Sequence, residues 1–500
     1  MSTIYLDLDP ETETETETET EIDATESDSD SDSSAENENN NNNSGLEQAD
    51  VETILEDACT LADDYIRENV GKMSNPDFHD VLESYIFDQI RIVLFAALGE
   101  SVSIDSNEMR DCITKITRNA IESVCGDMHL VDNARFPPRR SEPHHTNGLY
   151  ASTDELDRFR RRITELQGMQ DQTQQRTPAW YERRHNMITA SAAWKAFGTD
   201  AVINQLIYEK CKPFLECGDT RAVQAVQAVN VDSPLHWGQK YEQLSSAIYQ
   251  LKNNTLLGEF GCIQHSDPGL SFLGGSPDGI NVDEGSPLYA RMVEIKNIVN
   301  RDITGIPKEE YWIQMQLQME VCDLDSCDFV ETRFKEYDNV EDYEQDVEMD
   351  YQYRNDDRRS GTEFDIDDDD LMRGIIIYFI EKTTRKPHYE YMPIHYRDLD
   401  TQDAWVVNTI FEKEQSGGYG WIRNIYWKLD QYSCVLVQRN RLWFTTYAAP
   451  QLERVWRIIE TERVTGYAHR APRKRATTTT NRNGDSADGY TQTRLCRINL

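Results

Sequence analysis

The amino-acid sequence predicts an α/β layered fold, and three observations carry that expectation. Apolar and aromatic runs with strand character lie at 272–274, 289–295, 328–334, 374–380 and 389–394. Segments with helical spacing lie at 202–210, 235–251, 311–321 and 451–462. The two kinds are interspersed on both sides of the chain's midpoint, so helices must layer on a sheet rather than form a separate bundle.

The elements follow in order. Residues 1–45 hold a Glu-Thr repeat, an Asp-Ser run and an Asn run, with almost nothing apolar to bury, and are expected to be disordered. Residues 46–130 change character. Val51, Ile54, Leu55, Leu61 and Ile66, then Val81, Tyr85, Ile86, Ile90, Val93 and Leu94, recur at helical spacing and predict an all-helical accessory module. Residues 131–150, rich in Pro, Arg and His, read as a linker. The main domain is expected over 151–470, opening with a helix at 153–169. An acidic stretch at 335–370 falls between two strand candidates and reads as a loop insertion. Residues 471–500 read as a flexible basic tail, in which the run at 471–475 is a candidate nuclear signal or phosphate contact, with a solubilising role as the alternative.

The chain has 500 residues, 51 Lys+Arg against 90 Asp+Glu, and a net charge of -39. The charge is uneven. Residues 1–50 hold 17 acids and no base, and residues 335–370 hold 16 acids and 4 bases, so these stretches account for 29 of the excess negative charges. Global acidity therefore describes tail and insertion and does not by itself describe the working surface. The apolar run at 92–98 is far short of the roughly 18–20 residues a membrane span needs, so a soluble intracellular protein with no membrane partner is expected. The ten cysteines form no Cys-x-x-Cys pair, which disfavours a disulfide scaffold or zinc finger. Cys211 with Cys217, or Cys322 with Cys327, could serve an iron–sulfur site, but buried free thiols are the commoner reading. The histidines lack metal-ligand spacing. Serine hydrolysis and autonomous ATP use are disfavoured, because neither Gly-x-Ser-x-Gly nor Gly-x-x-x-x-Gly-Lys occurs.

The chemistry concentrates in Gly-Gly-Ser-Pro-Asp-Gly at 274–279, followed sixteen residues after Asp278 by Val-Glu-Ile-Lys at 293–296. In a strand, Glu294 and Lys296 project from one face while Val293 and Ile295 enter the core. Burying an acid and a lysine in an apolar strand costs several kcal/mol unless they are paired or bind a metal. Asp278 follows a proline in a Gly-flanked turn, where its carboxylate can swing beside that strand. Asp278, Glu294 and the Ile295 backbone carbonyl make a hard oxygen set of the kind Mg²⁺ or Mn²⁺ prefers. The plainer alternative is a surface hairpin with an exposed Glu294–Lys296 ion pair. Trp237, Tyr241, Leu244 and Ile248 set the core face of a helix on which Glu242 lies to one side, either as a third site carboxylate or as a solvated helix acid.

Together with these, Trp180-x-x-x-Arg184, Ile-Thr-Ala-Ser at 188–191, Trp-Gly-x-x-x-Glu at 237–242 and Tyr311-x-x-Gln314-x-Gln316 occur in the order seen in YqaJ-type viral recombinases. The chain thus resembles the lambda-exonuclease-like, alkaline-exonuclease branch of the PD-(D/E)XK nucleases over about half its length. The resemblance implies a restriction-endonuclease-like core with a central mixed β-sheet flanked by helices. It implies a 5′ to 3′ exonuclease, dependent on Mg²⁺ or Mn²⁺ with two ions, that resects double-stranded DNA ends for a single-strand annealing partner in viral recombination or repair. By the same resemblance Asp278 and Glu294 are the metal ligands, Lys296 the catalytic lysine and Glu242 the helix acid. Arg184, Ser191, Ser276 and Gln314 match positions that hold the terminal 5′-phosphate or sit close to the active site. Without the resemblance, Arg184 could pair with Glu182, Thr189 and Ser191 could cap a helix at 192–197, and Gln314 could lie on a solvated face. A structure-selective or site-selective endonuclease on the same fold, or an inactive DNA-binding scaffold, are the competing functions. Oligomeric state stays open. Arg158, Arg160, Arg161, Arg162, Arg183, Arg184 and Lys195 are candidates to line a DNA entry.

Overall fold

The computed structural model describes residues 48–98, 106–127, 153–169, 177–214, 231, 233–355 and 372–471. The acidic tract before residue 46, the 131–150 linker, the end of the 335–370 insertion, Cys217 and the tail beyond 471 lie outside the described residues.

Three helices open the chain: α1 Gln48–Glu68, α2 Phe78–Leu98 and α3 Asn107–Asp127. They pack through Ala58, Ala62 and Ile66 against Leu82, Ile86, Ile90 and Leu94 and against Ile113 and Ala120. On α2 the buried stripe runs 82, 86, 90, 94, one position round the helix from the expected Val81 and Val93, which are 50% and 53% exposed. Small alanines on α1 permit close approach, and the stripe follows the neighbour rather than the most hydrophobic arc. The same cluster continues into the rest of the chain. After α1, Met73 is fully buried, and the Ser74 hydroxyl donates to Glu309 at 2.8 Å.

The remaining elements are α4 Thr153–Gly168, α5 Pro178–His185, β1 Ile188–Thr189, α6 Ala190–Ala193, α7 Asp200–Cys211 and α8 Pro234–Asn253. Then come β2 Leu257–Gly258, β3 Ile263–Gln264, β4 Leu273–Gly275, β5 Gly279–Asn281 and β6 Met292–Asn297. They are followed by α9 Glu309–Cys322, β7 Ser326–Glu336, α10 Val340–Asn355, β8 Arg373–Glu381 and β9 Pro387–Tyr391. Helix α11 Leu399–Gln415, strand β10 Tyr419–Gln438 and helix α12 Ala449–Thr465 are the last of the longer elements. Both α5 and α8 begin at a hydroxyl cap followed by proline: Thr177 accepts from Trp180 N–H, and Ser233 accepts from His236 N–H.

A seven-stranded sheet has the order β2-β5-β6-β7-β10-β8-β9, and a small sheet has the order β1-β4-β3. In the large sheet β6 and β7 pair in parallel and the other neighbours are antiparallel. This is a mixed sheet flanked by helices, in line with the expected fold class. Two differences stand out. Strand β10 occupies the position between β7 and β8 although no strand is predicted there. Its polar residues and the register shifts at Leu429/Gln431 and Trp421/Arg423 break the alternation that marks a strand. The acidic insertion is not simply a loop. Its first half folds as α10, pinned where Tyr343 packs into the core and Arg373 pairs with Asp350 at 2.9 Å.

Helix α9 ends on Asp323 in the left-handed conformation, φ 49°. Beside that end the buried Arg439 guanidinium donates to Glu320 at 2.9 and 2.5 Å and to Asp323 at 2.7 Å. Burial opposes the arginine's charge, but the Glu320 and Asp323 carboxylates outweigh it and hold its pKa above the ordinary value. Arg439→Met is expected to lower unfolding free energy by about 3–5 kcal/mol, since it strands a buried carboxylate. Urea denaturation measures the change. A shift below about 1 kcal/mol would show that Glu320 finds another partner.

The described cysteines are free thiols, with Cys211, Cys262, Cys322 and Cys327 buried. Among the described residues no helix is long and apolar enough to cross a membrane.

Candidate active site

Strand β6 builds the site. Val293 and Ile295 turn inward and pack with Tyr249, Leu288 and Val330. The alternation then sends Glu294 and Lys296 to the opposite face, where α9 lies. Glu294 is completely buried. One of its carboxylate oxygens accepts from the Lys296 ammonium and, at 2.6 Å, from the Gln314 amide. Its other oxygen accepts from Gln318 at 2.8 Å. The exposed-hairpin alternative is therefore set aside, as is the solvated face on α9, where Gln318 is 1% exposed.

Asp278 enters from the turn between β4 and β5. Pairing of β5 with β6 stops at Gly279 and Val293. The next N–H on the β5 edge of β6, that of Ile295, donates to the Asp278 carboxylate at 2.8 Å. On the approach to this turn a Cβ at Gly274 would collide with Met187, while one at Gly275 would meet Gln318 in ordinary van der Waals contact. Burial first, and then the negative charges of Glu294 and Glu242, push the Asp278 carboxyl well above the usual carboxylate range, while Lys296 and the Ile295 N–H pull the other way. For Lys296, burial lowers the pKa, but Glu294 and Asp278 outweigh it and keep the ammonium charged. The charges acting on Asp278 are thus two further carboxylates against one ammonium.

Glu242 is half-buried on α8, and its charge is felt at Asp278. Its helix is fastened to β6 by residues the sequence reading did not single out. Asn297 donates to the Gly238 carbonyl at 2.9 Å, and its amide oxygen accepts from Ser245 at 2.6 Å and from Thr332 at 2.7 Å. The available signal was Asn297 continuing the inward alternation of Val293 and Ile295, opposite the small Gly238 and Ser245.

A second cluster surrounds Arg184, on the last turn of α5. Its guanidinium donates to the Ser191 hydroxyl at 2.8 Å, touches Thr189 at 3.5 Å and lies 4.3 Å from the centre of the Trp180 ring. Thr189 makes no capping bond to α6. The two hydroxyls serve the arginine instead, and Glu182 is not its partner in the bonds it makes here. Lys210 donates to the Arg184 carbonyl at 2.7 Å. Burial, then Arg184 and Arg463, push the Lys210 pKa down to about 8. Arg463, from α12, holds the carbonyls of Lys210 and His185 at 2.8 and 3.2 Å. Ser276 places its buried hydroxyl beside the Cys262 thiol, and that thiol feels the Arg184 charge. Gln314 joins the Glu294 cluster rather than the Arg184 cluster. The short Ser276-Pro277-Asp278 stretch spans the two.

The other bases expected at a DNA entry are mostly engaged within the fold. Arg158 pairs with Asp325, Arg160 with Glu284 at 3.0 Å and Asp157 at 3.2 Å, and Lys195 with Glu209 at 2.8 Å. Arg161 reaches the Asp157 carbonyl at 3.2 Å. Arg162 donates to the Cys322 and Val321 carbonyls at 2.7 and 3.2 Å and closes the C-terminus of α9.

The donor set at β6 suits a hard divalent ion in kind, carboxylate and carbonyl oxygen, and in charge, since the acids exceed the ammonium. Glu242, Asp278 and Glu294 are not drawn into one tight ligand group. Among the described residues, the three-ligand group with atoms within 4.8 Å of one another is His79, Asp80 and Glu83 on α2.

Residues 179–325 match the model of the YqaJ-like viral recombinase domain. An uncharacterized protein, R354, of Acanthamoeba polyphaga mimivirus is 28% identical over 310 residues. That alignment covers 58% of this chain and 53% of the relative, so the chain spans about half the length of the curated relative it matches. Among solved structures, LHK-Exo in complex with dAMP aligns with 18% identity and a TM-score of 0.30, covering 57% of this chain and 94% of that one. An alkaline exonuclease (LHK-Exo) from Laribacter hongkongensis aligns with 17% identity and the same TM-score and coverage. Residues 179–325, the stretch that matches the YqaJ-like viral recombinase domain, contribute every candidate site residue from Arg184 to Gln314.

Proposed function

We propose that this chain is a metal-dependent DNA exonuclease that resects duplex ends 5′ to 3′ in viral-type recombination or repair. The observation that carries the reading is the buried β6 face, where Glu294 and Lys296 emerge together beside Asp278. Such a set of charges is costly to bury and has a use in phosphodiester hydrolysis.

Asp278, Glu294 and the Ile295 carbonyl would hold Mg²⁺ or Mn²⁺. When bound, a divalent ion supplies Lewis-acid stabilisation of charge developing on the phosphate oxygens. Lys296 stays protonated, so it positions the attacking water and balances negative charge at phosphorus as one P–O bond forms and another breaks. Glu242 adds a carboxylate at the rim of the site. Arg184 and Ser191 grip a terminal 5′-phosphate, with Ser276 on the connecting turn. A pocket that binds a chain terminus makes cleavage begin at ends. Double-stranded DNA ends are then the substrate, and a single-strand annealing protein is the downstream partner.

A time course on linear duplexes labelled at one or the other terminus, with Mg²⁺ or with chelator, tests the proposal. Release from the 5′ end in Mg²⁺ alone is expected. Steady digestion of a closed circle would replace the exonuclease reading with an endonuclease, and no hydrolysis of any DNA would remove it.

Arg184→Ala is expected to cost about 10–100-fold in the rate on 5′-phosphorylated ends, the worth of a charge-assisted hydrogen bond, and to erase the advantage of those ends over 5′-hydroxyl ends. Arg184→Lys should not restore it, because an ammonium lacks the planar fork. Equal rates on both ends for the unaltered protein would take the terminal phosphate out of this pocket.

A further inference from the structure

Gln318 has no assigned part in the chemistry, yet its amide, from a third element, bonds both segments bringing carboxylates to the site. Its side chain leaves α9 one turn after Gln314, on the same helix face. The amide nitrogen donates to Glu294 at 2.8 Å and to the Ser276 carbonyl at 3.2 Å. Ser276 stands two residues before Asp278, in the turn that delivers the second carboxylate. A primary amide has two N–H donors about 120° apart, so both bonds can form at once. Gln318 is 1% exposed, and a Cβ at Gly275 would stand 3.4 Å from its Cγ, in ordinary van der Waals contact.

We propose that Gln318 is a positioning residue that sets the separation of Asp278 and Glu294, and thereby the affinity of the pair for a divalent cation. The inference rests on the metal-site reading above. Gln314 cannot replace it, since that amide reaches Glu294 alone. Lys296 cannot either, since it bonds the same Glu294 oxygen as Gln314. Without the bridge, Glu294 keeps its charge partner and β6 keeps its ladder, but the turn carrying Asp278 loses its bond to α9 and is held to β6 by the Ile295 N–H and the Gly279–Val293 pairing. Outer partners that orient ligands typically change metal affinity by about 10–100-fold.

The test uses the full chain with Gln318→Met, which conserves volume and removes both donors, and Gln318→Asn, which keeps an amide too short to span both acceptors. Mg²⁺ and Mn²⁺ binding is titrated calorimetrically, and duplex-end binding is measured in chelator. Both variants are expected to bind the cation about 10–100-fold more weakly while holding DNA ends as the unaltered chain does. Should Gln318→Met fail to fold, as its circular dichroism would reveal, Gln318→Asn is decided by the same measurements. Cation affinity equal to that of the unaltered chain, in a folded variant, overturns the positioning role and leaves the nuclease reading standing. Absence of cation binding by the unaltered chain removes the metal-site reading itself, and the role of Gln318 with it.

Discussion

Lys296→Ala is expected to reduce hydrolysis of duplex ends by about 10²–10³-fold, the range associated with removal of one preorganised donor that stabilises developing charge, while the chain stays folded and still binds DNA. The fold should survive because Glu294 keeps two amide donors, Gln314 and Gln318, on its two oxygens. The lysine's stem is also only partly enclosed, with 21% of its side chain exposed beside the Tyr311 ring. Single-turnover rates with labelled ends, together with end-binding affinity in chelator, separate the two effects. A rate near that of the unaltered protein would contradict the role given to the ammonium. A parallel loss of binding and rate would instead assign Lys296 to substrate grip.

Asp278→Asn is expected to lose more activity than the roughly 10–100-fold that removal of an outer partner costs, and yet to stabilise the protein in chelator. Asp278 is raised well above its ordinary value by burial and by the charges of Glu294 and Glu242. A carboxyl whose folded pKa is raised contributes stability fully present below its unfolded pKa of about 4, and that contribution is lost as pH rises through the folded value. The asparagine carries no charge, and its amide oxygen can still accept from Ile295. The melting temperature of the variant in chelator should therefore exceed that of the unaltered chain at pH 8, and the gain should shrink toward pH 4. With saturating Mg²⁺ the ordering should reverse, because only the carboxylate is stabilised by the ion. A variant less stable at pH 8 in chelator would show that Asp278 is not repelled by its neighbours.

Opposite signs in activity and stability are what a site of crowded like charges produces. The same reasoning explains which residues could be recognised beforehand. Glu294 and Lys296 were legible because two residues of one strand, separated by one, leave from one face whatever surrounds them. Asp278 was legible as a carboxylate in a turn that proline and glycine enforce. The helical spacing of Trp237, Tyr241, Leu244 and Ile248 likewise fixed the inward arc of α8 and so the flank on which Glu242 stands. Strand β10 was not legible, because bulges and polar residues disguise its alternation. Nor was the helix inside the acidic insertion, whose burial depends on Arg373 and on a partner helix far along the chain.

What the sequence by itself determined was the direction in which each side chain leaves its own element, since strand and helix periods are local properties of the backbone. It set Glu294 beside Lys296, Asp278 in a turn bounded by proline and glycine, and acids apart from bases along the chain. Only the tertiary structure decided what each side chain meets: Gln318 on Glu294 and on the Ser276 carbonyl, Asn297 on Gly238, Arg463 on the backbone at Lys210, and Arg162 on the end of α9. These partners are 24 to 253 residues apart. Nothing in a local period specifies them, because the meeting depends on the order in which strands pair and on which helix crosses which face.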